Sequence, residues 1–275
     1  MIEIQGHRGA LATRAGNTLG GFVEALRLGV DAVEVDLWLT ADGQLALRHD
    51  AVVDGRDIRE SALHDAVAEK QPLTRPASNM ETRPPTLEEV LALLRFADAG
   101  GVVLDIEVKT DGDPWTQYGS QIVAALSKTL EAHAPGQALR VRSFDPQILR
   151  TMAGSFPDIP MVAKCRPDGT PLLGQYPSEP FALIEAALAT GAAAVAPGIG
   201  LVNQALVARA HTAGLKVYPW TLTTAEEMSR AVLMGVDGIC VDDVGFARDV
   251  LASMGQELPA SRPIVLPMLE APVRW

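Results

Sequence analysis

The sequence is short of cysteine, of aromatic residues and of positive charge, and it has no long apolar run. Two cysteines in 275 residues, Cys165 and Cys240, provide no disulfide framework. Both lie in apolar, strand-like segments, where buried free thiols in a reducing compartment are expected. Aromatic residues make up 5% while hydrophobic residues reach 48%, so Ala, Val and Leu carry the apolar content. That profile suits small buried strands covered by Ala-rich helices. Lys and Arg number 23 against 34 Asp and Glu, a formal net charge of −11. This balance argues against nucleic-acid partners and against stable membrane association, both of which need clustered cations. It leaves room for a small anionic substrate, because a few local cations or a metal can reverse the field inside one pocket. No stretch approaches the roughly 18 apolar residues of a membrane span. Met1-Ile2-Glu3-Ile4-Gln5 reads directly as a strand and not as a leader, so a cytoplasmic setting is expected.

What is present is an alternation of short apolar runs with longer amphipathic ones, the pattern of βα units on a parallel sheet. Strand-like runs lie near 2–6, 31–38, 101–109, 138–143, 159–164, 193–197, 215–220 and 237–241. Helical periodicity is readable near 18–29, 86–98, 115–134, 145–155, 180–191, 203–213, 223–234 and 243–254. Thr86 with Glu89 and Thr223 with Glu226 have the spacing of capping boxes. Eight strands and eight helices close an α/β TIM (β/α)₈ barrel; a doubly wound open sheet is the alternative. Residues 1–255 are read as one barrel domain. Residues 51–85 break the rhythm with scattered charges, Asn79 and four prolines. They are expected to be an insertion after the second strand, on the face where barrel enzymes carry active-site loops. The Pro-rich C-terminal tail, 256–275, is either a wrapping segment or an oligomer contact, so a homo-oligomer stays open.

Side chains alternate faces in a strand. In the run 31–38, Glu34 and Asp36 share one face while Val33, Val35 and Leu37 take the other. In the run 101–109, Asp105, Glu107 and Lys109 share a face opposite Leu104, Ile106 and Val108. Barrel interiors are ordinarily filled by branched apolar side chains, and several buried like charges repel unless something compensates them. A salt-bridge layer built on Lys109 is one solution. A divalent cation, Mg²⁺ or Ca²⁺, held by Glu34, Asp36 and Glu107 fits better, because one lysine is too little charge for two acidic strands. Lys109 is then free to hold a phosphate oxygen.

The five histidines are not equivalent. His133 and His211 fall near helix ends and His64 falls in the insertion, where solvated roles are expected. His7, in Gly6-His7-Arg8-Gly9, and His49, in Leu47-Arg48-His49-Asp50, each follow a strand in a polar turn. Strand ends are where barrel enzymes collect catalytic groups, and two histidines can take and return a proton in one cycle. Position alone leaves a structural role equally open.

These residues form an ordered series. His7-Arg8-Gly9 is followed by Asn17-Thr18 with Phe22, then by Gly29-Val30-Asp31-Ala32-Val33-Glu34-Val35-Asp36. Next come Thr40-Ala41-Asp42-Gly43, His49-Asp50, the segment opening at Thr86, and Asp105-Ile106-Glu107-Val108-Lys109. Ser143-Phe144-Asp145, Tyr218-Pro219-Trp220-Thr221 and Gly235-Val236-Asp237-Gly238-Ile239 complete it. Over nearly the whole chain except the tail, the series resembles the glycerophosphodiester phosphodiesterase family. The resemblance implies a TIM barrel with a small insertion after strand two and metal ligands at Glu34, Asp36 and Glu107. It also implies catalytic His7 and His49, phosphate-contacting Arg8 and Lys109, and Trp220 lining the site.

The reaction it implies is metal-dependent hydrolysis of small glycerophosphodiesters to glycerol 3-phosphate and an alcohol, through a cyclic phosphate. The alternatives are a lysophospholipase D or sphingomyelinase-D-like lipid phosphodiesterase and a catalytically silent phosphodiester-binding protein. The chain departs from the family pattern at Gly16, where a glutamate is usual, and at Val241-Asp242-Asp243, where Thr-Asp is common. It also departs at Lys164, where an apolar residue is expected and which is either a substrate contact or a solvated strand end.

Overall fold

In a computed structural model, residues 1–66, 83–110, 117–165, 180–262 and 264 are described. The chain runs β1 (Glu3–Gly6), α1 (Leu19–Leu28), β2 (Ala32–Leu39), β3 (Leu45–Leu47), β4 (Val52–Val53) and β5 (Arg56–Asp57). It continues through α2 (Leu87–Phe96), β6 (Val103–Val108), α3 (Gln117–His133), β7 (Leu139–Ser143), α4 (Pro146–Ser155), β8 (Met161–Cys165) and α5 (Pro180–Leu188). The last elements are β9 (Ala194–Pro197), α6 (Gln204–Thr212), β10 (Lys216–Val217), α7 (Ala225–Met234), β11 (Gly238–Val241) and α8 (Val244–Ser253).

Eight strands pair in parallel in the order β10-β9-β8-β7-β6-β2-β1-β11. The two ends meet: Asp237 donates its N–H to Val217 O at 3.0 Å and Cys240 donates to Pro219 O at 3.0 Å. The sheet is therefore a closed TIM barrel with its helices outside. The apolar face of each strand makes the core against those helices: Val33, Val35, Leu37, Leu104, Ile106, Val141, Val195 and Ile239 are fully buried there. Each such side chain contributes roughly 1.5–3 kcal/mol by leaving water.

Caps set the helix starts. Thr18 accepts from Gly21 N, and Thr86 and Glu89 form the expected capping box. The second box is Thr224 with Glu227, one residue later than the spacing of Thr223 and Glu226 suggested. Thr223 also gives its N–H to Glu227 Oε2, at 2.9 Å, so this carboxylate accepts from two consecutive backbone N–H groups.

After β2 the chain turns back as β3, antiparallel to β2 with Leu37 opposite Leu47, a three-residue strand too short to show a period. The described part of the insertion forms the β4–β5 hairpin and a turn at Leu63–Asp65. Arg48, 1% exposed, holds the hairpin by donating to the carbonyls of Asp50 and Arg56 at 2.7 and 3.4 Å. Asn79 and the prolines at 72 and 76 lie outside the described residues. Beyond α8 the start of the tail lies along the end of α1: Arg262 N–H donates to Leu26 O at 3.1 Å and Ser261 Oγ to Leu28 O at 3.2 Å. Residues 265–275 lie outside the described residues.

Candidate active site

The turn after β1 is fixed by backbone approach. A Cβ on Gly6 would sit 2.3 Å from Gly9 O. Gly9 has φ +94°, and a Cβ there would come within 2.7 Å of the Gly21 backbone. Only glycine fits either position. Between them Arg8 adopts φ 51°, a left-handed conformation that a side chain of this type rarely takes. Its N–H donates to Glu34 Oε2 at 3.0 Å and its Nε lies 3.1 Å from Asp36 Oδ2, so the strained turn is tied to the β2 carboxylates. Asn17, also at positive φ, grips Asp36 twice: its Nδ2 donates to Oδ2 at 2.8 Å and its Oδ1 accepts from the Asp36 N–H at 3.0 Å.

Glu34, Asp36 and Glu107 are buried, and each offers a carboxylate oxygen within 4.8 Å of the others. Strand pairing puts them there, since Glu34 is opposite Asp105 and Asp36 opposite Glu107. More cations surround them than the sequence reading counted. Lys109 Nζ lies 2.8 Å from Asp36 Oδ1 and 2.5 Å from Glu107 Oε1, and Lys164 Nζ contacts Glu107 Oε2. Burial alone would push Asp36 and Glu107 up. Lys109, with Arg8 for Asp36 and Lys164 for Glu107, overcomes burial and holds Asp36 far below the carboxylate range and Glu107 at about 2.

Glu34 is different. Burial, then the negative charge of Asp36, pushes its pKa up, and His7 and Lys164 only partly oppose this. Its Oε1 is buried with no hydrogen-bond partner among the described residues. A hard divalent cation bound by oxygen ligands would fit that donor set and would supply the missing partner.

Two residues before Glu107 on β6, Asp105 anchors a second charged cluster with β7 and β1. Asp105 accepts from Arg140 Nε at 2.8 Å and from Arg142 Nε at 2.8 Å. Arg140 reaches Glu3 Oε1 at 2.5 Å, and Arg142 reaches Gln5 Oε1 at 2.8 Å. Arg140 also lies over the Tyr218 ring, 4.3 Å from its centroid. A salt bridge of the expected kind does form on Lys109, to Glu107 and Asp36, so Lys109 is not free, and a second charged layer stands on Arg140 and Arg142.

His7 is 8% exposed, and its Nδ1 is 2.6 Å from Asp242 Oδ1. The side chain of His49 is 38% exposed and its Nδ1 lies 2.8 Å from Asp50 Oδ1. In both, a carboxylate engages Nδ1 and leaves Nε2 for proton exchange. His49 stands close enough to Asp36 for its charge to help lower that carboxyl. The other histidines lie where solvated roles predicted: His64 side chain is 79% exposed, His133 is exposed, and His211 pairs with Asp237 at 2.9 Å.

Trp220 donates Nε1–H to Ala196 O at 2.7 Å and meets Phe144 edge to face, centroids 5.8 Å apart. Lys164, 4% exposed, places its Nζ 4.2 Å from the Trp220 centroid, so it is not a solvated strand end. Cys240 is a buried free thiol whose pKa burial pushes up, which keeps it inert. The side chain of Cys165 lies outside the described residues.

A model of the glycerophosphoryl diester phosphodiesterase family matches residues 7–246. The chain belongs to that family. As a member it is an enzyme, a phosphoric diester hydrolase. A glycerophosphodiester phosphodiesterase of Caldanaerobacter subterraneus subsp. tengcongensis is 28% identical over 244 residues, covering 86% of this chain and 92% of the relative. Another from Bacillus subtilis is 27% identical over 249 residues, covering 85% and 80%. A solved Silicibacter pomeroyi protein, provisionally named a glycerophosphoryl diester phosphodiesterase, superposes with a TM-score of 0.79 at 26% identity over 94% of this chain and 95% of that one. An Oleispira antarctica phosphodiesterase solved with the product sn-glycerol-3-phosphate shares the fold, with a TM-score of 0.75 at 20% identity over 91% and 96%.

The structure brings His7, Arg8, Glu34, Asp36, Glu107 and Lys109 together, with Trp220 reaching the group through Lys164 and His49 on the rim. Sequence reasoning gave no role to Asn17, Asp50, Asp242, Arg140 or Arg142. The Arg140-x-Arg142 alternation in the run 138–143 carries the same signal that singled out Asp105 and Glu107. The Asn17 and Asp242 contacts join residues 19 and 235 positions apart, which no local pattern reports.

Proposed function

We propose that residues 1–255 act as one barrel domain that hydrolyses small, soluble glycerophosphodiesters in the cytoplasm to glycerol 3-phosphate and an alcohol. A single divalent cation, Mg²⁺ or Ca²⁺, is held by Glu34, Asp36 and Glu107. The observation that carries this reading is the buried three-carboxylate cluster with one unpartnered oxygen on Glu34, standing beside a buried histidine. When bound, such a cation lowers the pKa of a hydroxyl and neutralises charge on a nonbridging phosphate oxygen.

The chain's own residues supply the rest. His7, oriented by Asp242, takes the proton of the glycerol 2-hydroxyl as its oxygen attacks phosphorus. His49 gives a proton to the leaving alcohol as its P–O bond breaks, and a cyclic phosphate results. Water then opens the ring with the two roles reversed: His49 takes the water proton and His7 returns one to the 2-oxygen. Arg8 and Lys109 stabilise the equatorial oxygens, and Trp220 lines the site.

The test is a panel of glycerophosphodiesters with metal-stripped protein re-supplied separately with Mg²⁺, Ca²⁺ and Mn²⁺, following release of sn-glycerol 3-phosphate. Release with at least one ion and none without is expected. No release in any combination would sink the proposal. Faster cleavage of lysophosphatidylglycerol than of glycerophosphoglycerol would point instead to a lipid substrate.

A further inference from the structure

The reaction above leaves Lys164 without a task. Its side chain rises from β8 opposite Ala196, is 4% exposed, and brings Nζ onto Glu107 Oε2. The same ammonium lies 4.2 Å from the Trp220 ring centroid and 4.9 Å from that of Phe144. Those rings meet at 77°, and the indole is anchored to Ala196 O. Two aromatic faces set at a steep angle are the kind of receptor that holds a quaternary ammonium group. Here the receptor is filled by a charge built into the protein.

The charges of the site lead the same way. Arg8, Lys109 and Lys164 stand against Glu34, Asp36 and Glu107, three against three before any divalent cation binds. A bound divalent cation would add two positive charges to that inner group beside Lys164, while Asp242 and Asp50 stand farther out on His7 and His49. A cationic alcohol group on the substrate then meets like charge at low dielectric and finds its aromatic seat taken, whereas a neutral polyol or an anionic group meets neither obstacle. An apolar residue at this strand position would leave the faces open.

We infer that Lys164 is a specificity residue that turns the enzyme away from diesters of choline-like alcohols and toward diesters whose second alcohol is neutral or anionic. This rests on the diester hydrolysis proposed above and adds its substrate class. The test compares kcat/KM for glycerophosphoglycerol and glycerophosphocholine, under one metal condition, in wild type and in Lys164→Met, Lys164→Gln and Lys164→Arg. Wild type is expected to favour the glycerol diester. The two neutral variants are expected to move the ratio toward choline by roughly 3- to 30-fold, the range of one cation–π contact, while Lys164→Arg keeps the wild-type ratio. A purely structural lysine would lower both substrates equally, and an unchanged ratio in the neutral variants overturns the inference. If those variants do not fold, wild type still decides: equal or faster turnover of the choline diester overturns it. No turnover of either diester by wild type would overturn the proposed reaction, and this inference with it.

Discussion

Two charged clusters sit one above the other inside this barrel, joined through β6 and produced by the same alternation of faces, and they are finished differently. The lower one, around Asp105, is nearly closed: both carboxylate oxygens take arginine N–H groups, Glu3 and Gln5 take others, and only Arg142 Nη1 lacks a partner among the described residues. The upper one has a comparable number of cations, yet they gather on Asp36 and Glu107 and leave Glu34 Oε1 without a partner. A saturated buried cluster fixes geometry; one with an open oxygen next to a buried histidine is suited to a ligand. A charge inside a barrel is thus not a functional signal by itself. What separates the clusters is whether the protein completes them.

The largest effect expected is in the upper layer and on its rim. His49→Ala should lower kcat by about 10²–10⁴-fold, the usual contribution of a general acid or base. Steady-state turnover above about a tenth of wild type would remove His49 from the chemistry.

Next is a test of closure below. Asp105→Asn leaves Arg140 and Arg142 short of their counter-charge and should cost about 3–5 kcal/mol in urea unfolding. The matching change above, Glu34→Gln, removes a poorly compensated buried carboxylate and should leave metal-free stability unchanged or raise it by up to about 1 kcal/mol. Equal losses in the two variants would erase the distinction between the layers.

The lower layer also sets an acid limit. Burial raises the pKa of Asp105, but Arg140 and Arg142 bring it below its ordinary 3.8. A carboxyl with a depressed folded pKa contributes stability that is present above the unfolded value and lost as pH falls through the folded one. Unfolding free energy should therefore decline below about pH 3.8, and less steeply in Asp105→Asn.

A smaller effect is expected from Asp242→Asn, which keeps the size of the His7 partner but not its charge. A fall of about 10- to 100-fold in kcat with an altered pH profile is expected, and a profile identical to wild type would make Asp242 a packing residue.

Much of this was legible in the sequence, for physical reasons that vary by residue. All eight barrel strands and their helices follow from periodicity, because a strand buried under helices must be apolar on its outer face. The carboxylates Glu34, Asp36 and Glu107 stood out because charge on the inner face breaks that rule. Positive charge was there to be read as well: Arg140, Arg142 and Lys164 follow the same alternation on β7 and β8, and without them one lysine has to balance two strands. The metal case now rests on the Glu34 oxygen and not on a shortage of cations. Gly16 removes the glutamate usual before Asn-Thr, and here Arg8 is held by Asp36. β3 was hidden by its length, and the pairings of Asn17 with Asp36 and of His7 with Asp242 were hidden by sequence distance.

A divalent cation at Glu34 would complete the upper layer. Calorimetric titration of the metal-stripped protein with Mg²⁺, Ca²⁺ and Mn²⁺ tests it, run on wild type, Glu34→Gln and Asp105→Asn under native conditions. Saturable binding of one ion to wild type, lost in Glu34→Gln and kept in whatever fraction of Asp105→Asn stays folded, is the predicted result. Binding of equal strength in wild type and Glu34→Gln, or none to wild type with any of the three ions, would contradict it.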